Sequence, residues 1–105
     1  MAQLTVYRNK NPRSKAIFPL LLDVQSDLLD DLQTRVVIPL TKTAGLAKNP
    51  VSQLTPTLDF EGDAYVLMTP QLAGIARAEL GPAIGNLAGY RDTVLAALDF
   101  LLTGF

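Results

Sequence analysis

The hydrophobic period of this chain changes once. Up to about residue 80, apolar residues come in short β-favourable runs, the clearest with a period of two, and turn chemistry separates them. From Leu87 onward they fall at intervals of three and four. A period of two lines one face of a strand, and a period near 3.6 lines one face of a helix. The chain therefore reads as a set of short antiparallel strands followed by a single C-terminal helix.

The runs can be placed. Leu4-Thr5-Val6-Tyr7 is β-favourable, and residues 9–15, with Pro12 and Ser14, form a hairpin loop. Residues 16–24 are an apolar run carrying Pro19. Proline has no N–H for a ladder, so this strand should be an edge, or bulged or interrupted there. Residues 34–40 are rich in β-branched side chains and end near Pro39; residues 41–50 read as a loop. Leu54, Pro56, Leu58 and Phe60 then alternate with polar residues. Glu61-Gly62-Asp63 supplies a tight turn, and residues 64–69 return as the second arm of a hairpin. Residues 70–74 suit a short irregular or helical connection, and the alternation of Ala76, Ala78 and Leu80 suggests one more short strand. In the tail, Leu87, Tyr90, Val94, Leu98 and Leu101, joined by Leu95 and Leu102, give a helix about 24 Å long. Asn86 is its expected N-cap and Gly104 its left-handed C-terminal residue.

Composition narrows the chemistry. At 105 residues and 49% hydrophobic, the chain suits one domain with a sizeable core. It has no cysteine and no histidine. That removes thiolate and imidazole metal ligands, cysteine nucleophiles and the usual general base near neutral pH. No serine has a histidine to activate it, and the scattered glycines do not form a phosphate-binding loop. A formal charge of −1 argues against general nucleic-acid binding, although Arg8, Lys10, Arg13 and Lys15 make a locally basic stretch. No apolar run is long enough for a membrane span, and no secretory signal is evident, so a cytoplasmic location is expected.

Two places draw attention as contact surfaces. Residues 23–32 hold Asp23, Asp27, Asp30 and Asp31 around Leu28 and Leu29. The spacing does not fit a calcium loop, and local capping by Ser26 and the aspartates accounts for most of it. Two adjacent leucines in a polar loop cannot both easily face one core, so one should be offered to a partner. At the other end, Phe105 follows Gly104 after the helix. It either packs back on the last turn or projects as an apolar tip.

These residues resemble a family. Leu22-Asp23-Val24-Gln25-Ser26-Asp27-Leu28-Leu29-Asp30, followed by Arg35-Val36-Val37-Ile38-Pro39-Leu40, looks like the CcdB toxins of bacterial toxin–antitoxin modules. Gln3-Leu4-Thr5-Val6-Tyr7, Leu67-Met68-Thr69 and the terminal Gly104 plus an apolar residue extend the likeness from end to end. The resemblance implies a mainly β fold with a C-terminal α-helix, an SH3-like barrel of the CcdB, MazF and Kid type, over residues 1–105. It implies a homodimer that is not an enzyme and needs no cofactor or metal. Such a toxin binds the GyrA subunit of DNA gyrase and traps the covalent gyrase–DNA cleavage complex. A CcdA-type antitoxin neutralises it with a disordered segment, and the pair represses its own operon, so DNA is contacted only through that complex. By the same resemblance, gyrase contacts fall on Ser26, Leu28, Leu29, Asp99, Thr103, Gly104 and Phe105. Gln3, Leu4 and Tyr7 are possible additional contacts.

The chain departs from the best-known plasmid member at two of these positions. That protein has tryptophan where Thr103 stands and asparagine where Asp99 stands. The loss of an aromatic anchor bears on affinity, and Phe105 is the residue expected to restore part of it. Two rivals follow: a CcdB homologue that has lost toxicity and serves as a binding or co-repressor module, and a ribonuclease of the MazF and Kid kind. A ribonuclease needs a basic groove for phosphate, which the low charge disfavours.

Overall fold

A computed structural model describes residues 3–43 and 53–104. Its seven strands are β1 (Thr5–Asn9), β2 (Leu20–Asp23), β3 (Thr34–Lys42), β4 (Thr57–Phe60), β5 (Asp63–Leu67), β6 (Ala73–Ala76) and β7 (Leu80–Asn86). Among the described residues a single α-helix, α1 (Arg91–Thr103), follows them. The strands form one sheet in the order β4-β5-β3-β2-β1-β7, with β6 also paired to β3, and every pairing is antiparallel. The sheet curls into a half-barrel with the helix at its end. This is the mainly β architecture expected, and it is consistent with an SH3-like barrel.

Alternation along the strands builds two apolar layers. Val6, Leu20, Leu22, Ile38, Leu40, Leu58, Phe60 and Leu67 point inward, where Leu87, Val94 and Ala97 cover them. Tyr7, Leu21 and Val37, the residues between, point outward and pack with Leu80 and Ile75 in a smaller cluster. Leu20-Leu21-Leu22 is apolar on both faces because both faces are covered.

The prolines sit where their missing N–H costs least. β2 begins just after Pro19, so the run is interrupted there and is no edge: β2 lies between β3 and β1. β3 pairs with β6 through residues 34–37 and with β5 through residues 40–42, and Pro39 stands at the change of partner. The Glu61-Gly62 turn has positive φ at both residues, +51° and +86°, the twist a two-residue hairpin needs. The expected strand from Leu54 shortens to β4, because residues 53–55 are in turns and bends.

Two expectations change. The alternation of Ala76, Ala78 and Leu80 is no strand. Residues 77–79 form a 3-10 turn between β6 and β7, and β6 is held by its register on β3. The helix starts at Arg91, four residues after Leu87, since residues 88–90 make a separate 3-10 turn. Asn86 is therefore not the helix N-cap, a place Tyr90 takes; its side-chain oxygen accepts from the Ala88 N–H at 3.0 Å, just ahead of that turn. Gly104 does end the helix in the left-handed region at φ +80°. Of the loop expected over residues 41–50, Thr41 and Lys42 instead extend β3, where β5 pairs with them, and the residues from 44 onward lie outside the described ones.

β7 approaches β1 closely at Gly81. A Cβ placed there would stand 2.6 Å from the Arg8 carbonyl oxygen, which is main chain and cannot swing aside. Gly81→Ala should therefore cost about 1–3 kcal/mol of stability, as overpacking does. Urea unfolding checks this, and an unchanged midpoint would show that β7 yields freely.

Candidate functional site

The loop between β2 and β3 carries the most exposed large apolar side chain described. Leu28 is 95% accessible, and Leu29 and Leu32 beside it are about half accessible. The expectation of an exposed leucine is met by Leu28 most fully. A water-facing leucine is unremarkable alone, but three together, ringed by Asp27 and Asp31, form an apolar prow with an acidic rim.

The loop is held from several sides. Ser26 caps a 3-10 turn at Asp27–Leu29, its hydroxyl accepting from the Leu28 N–H at 3.2 Å. Gln25 is buried; its side-chain N–H donates to the Leu29 carbonyl at 2.9 Å, and its oxygen accepts from the Val36 N–H at 3.0 Å. Beneath them lies Arg35, fully buried in β3. Its Nε and Nη2 donate to Asp23 Oδ2 at 3.0 and 2.6 Å, and its Nη1 donates to Asp30 Oδ1 at 2.9 Å. Asp23 is buried as well, and its other oxygen accepts from the Gln25 N–H at 3.0 Å.

Burial pushes the Asp23 carboxyl above its ordinary pKa, against the opposing pull of Arg35 and the Gln25 N–H. Its folded value thus exceeds its unfolded one, and holding the charged form near neutral pH is a net cost. The ion pair fixes the geometry of the loop more than it stabilises the chain. The four aspartates do not gather around a cation. Among the described residues, no group of three or more carboxylates is arranged for a metal.

Gln3 joins this loop to the helix. Its backbone N–H donates to Asp27 Oδ1 at 2.7 Å and its side-chain N–H to the Val24 carbonyl at 3.1 Å. Its side-chain oxygen accepts from Arg91 Nη1, the first residue of α1, at 2.7 Å. The turn that makes this possible is at Leu4, which has φ +69°, a costly backbone conformation for a branched side chain. The Leu4 N–H donates to the Asp23 carbonyl at 2.7 Å, and its own carbonyl accepts from Leu87 at 2.8 Å.

Leu4 and Tyr7 are not surface groups of this chain. At 4% and 6% accessible they belong to the inner and outer core, so Leu4 serves the site through its backbone. Asp99, Thr103 and Gly104 are exposed near the far end of α1, Gly104 roughly 20 Å along the axis from Arg91. The Thr103 hydroxyl donates back to the Asp99 carbonyl at 2.7 Å, so it is engaged within its own helix. Phe105 lies outside the described residues. Gln25 and Arg35 stand in the segments that carry the family resemblance, but the positioning roles of Arg35, Gln25, Arg77 and Arg91 escape a reading of the sequence. The only hint among them is a lone arginine opening a β-branched run.

Loop, half-barrel and helix together define a small, mainly β protein with an exposed apolar loop. The sequence model of the CcdB family, described as CcdB protein, matches residues 3–104. The chain belongs to the CcdB family, and membership supports a toxin of a toxin–antitoxin module. No helix among the described residues is long and apolar enough to cross a membrane.

Proposed function

We propose that this chain poisons DNA gyrase as a cytoplasmic toxin: it binds the GyrA subunit and traps the cleaved gyrase–DNA complex. The observation that carries the reading is Leu28, almost wholly exposed on a loop that is hydrogen-bonded throughout. An apolar side chain on a backbone already fixed by hydrogen bonds needs less ordering on binding. Ser26 and Leu29 complete the loop contact, Gln3 supports it, and Asp99, Thr103, Gly104 and Phe105 form a second contact at the helix tip. The protein adds no chemistry of its own and works by differential binding to the cleaved state of the enzyme.

The toxin acts as a homodimer. The helix buries only Val94 and Ala97 fully, while Leu95, Leu101 and Leu102 remain exposed, as does Leu72. That apolar surface suits a second copy. A CcdA-type antitoxin neutralises the toxin, and the complex represses the operon. One observation favours a weaker or detoxified variant: Thr103 offers no aromatic anchor and its hydroxyl is turned inward to the helix. Expression in a gyrase-sensitive strain separates the two readings. A toxin stops growth and co-expressed antitoxin restores it, whereas a co-repressor leaves growth intact.

A further inference from the structure

The guanidinium of Arg77 reaches across 45 residues of sequence to the back of the exposed loop. Its Nη1 donates to the Asp30 carbonyl at 2.7 Å and, more weakly, to the Leu32 carbonyl at 3.3 Å. Its backbone N–H donates to the Gln33 carbonyl at 3.0 Å. Three carbonyls at the C-terminal side of the loop thus converge on one residue. The bonds from its side chain are charge-assisted, stronger than neutral ones. Arg77 is half-buried and stands in the 3-10 turn that replaces the expected strand. That turn carries the guanidinium to the loop, where a continued β6 would have run on along β3.

We propose that Arg77 is a positioning residue: it clamps residues 30–33 and thereby sets how tightly the Leu28 prow binds its partner, without belonging to the contact surface. The N-terminal half of the loop is fixed by Ser26, Gln25 and the Gln3 bridge, and its underside by Arg35. Arg77 fixes the remaining side. With it in place the loop presents Leu28, Leu29 and Leu32 as one surface. Without it the carbonyls of Asp30 and Leu32 turn to water and the three side chains sample separate orientations. Binding must then order them again.

The inference rests on the proposed gyrase reading only for the identity of the partner, and the test separates the two. Amide hydrogen exchange is followed in the free full-length protein, in the parent, Arg77→Ala and Arg77→Lys. The reporters are Leu28, Leu29, Asp30 and Leu32, whose N–H groups are bonded within the loop. Binding to a GyrA fragment is measured in parallel, well below the melting temperature, where a loss of global stability alone leaves affinity unchanged. Arg77→Ala should speed exchange of those amides about tenfold or more while β-sheet amides keep their protection. Kd should rise about tenfold, and Arg77→Lys should recover part of it, since an ammonium keeps the charge and the donors but ends one bond short of where Nη1 meets the Asp30 and Leu32 carbonyls. Unchanged loop exchange overturns the proposal, and so does faster exchange with unchanged Kd. If the parent itself does not bind the fragment, the gyrase reading has failed. Loop exchange in Arg77→Ala then still decides the clamp: acceleration upholds it, and parent-like exchange overturns it.

Discussion

Leu28→Asp should lower affinity for the gyrase fragment roughly 100-fold or more, the loss typical of a central anchor at an interface. It should leave folding stability within about 0.5 kcal/mol of the parent, because a residue 95% exposed has almost no packing to lose. The contrast between the two readouts gives the variant its value. A carboxylate at the centre of the prow must be desolvated against whatever groove received the leucine, and Asp27 and Asp31 already crowd the rim with like charge. Isothermal titration or fluorescence anisotropy gives the affinity, and urea unfolding gives the stability. If binding survives, the helix tip carries the contact alone, and the apolar loop serves another purpose.

The second large effect lies beneath the surface. Asp23→Ala should cost about 3–5 kcal/mol, because among the described residues it leaves the fully buried Arg35 with only the half-exposed Asp30 as counter-charge. It also frees the Gln25 N–H from its acceptor. The cost is that of an orphaned charge more than of a lost attraction. Replacing both partners, as in Asp23→Leu with Arg35→Met, should accordingly recover much of it. The loop geometry should not return with the stability, since the bond from Arg35 to the Asp30 carboxylate is then lost. Urea unfolding at one fixed protein concentration tests both variants, the concentration mattering for the proposed dimer. A single substitution costing less than about 1 kcal/mol would mean that water reaches Arg35 once Asp23 is gone.

Local patterns carried much of the fold, and non-local pairing carried the rest. Leu58 and Phe60 alternate cleanly, Glu61-Gly62 has the chemistry of a tight turn, and Gly104 closes a helix; each depends on neighbours a few residues away. β6 is different. Ala73-Gly74-Ile75-Ala76 has little alternation of its own, and its strand exists because residues 34–37 of β3 lie alongside it. The alternation at Ala76, Ala78 and Leu80 pointed the wrong way for the same reason. At the other end of the chain's last segment, Gly89 and the turn at residues 88–90 delayed a helix that the leucine spacing would have begun at Leu87.

The site divides along the same line. Adjacent leucines in a polar loop, and an aromatic after a terminal glycine, are local oddities that a sequence displays. The groups that hold the loop are not: Arg35 meets Asp23 across 12 residues, Arg77 meets Asp30 across 47, and Arg91 meets Gln3 across 88. Spacings of that kind follow from sheet order, which periodicity leaves undetermined.

The proposed action of this protein is to trap gyrase on cleaved DNA. Supercoiled plasmid incubated with gyrase and ATP, with and without the protein, then denatured, treated with protease and resolved on a gel, tests it most directly. Linear DNA that accumulates with the protein present is the result predicted. Normal supercoiling without linear product, using folded protein and gyrase from the same source organism, would contradict it.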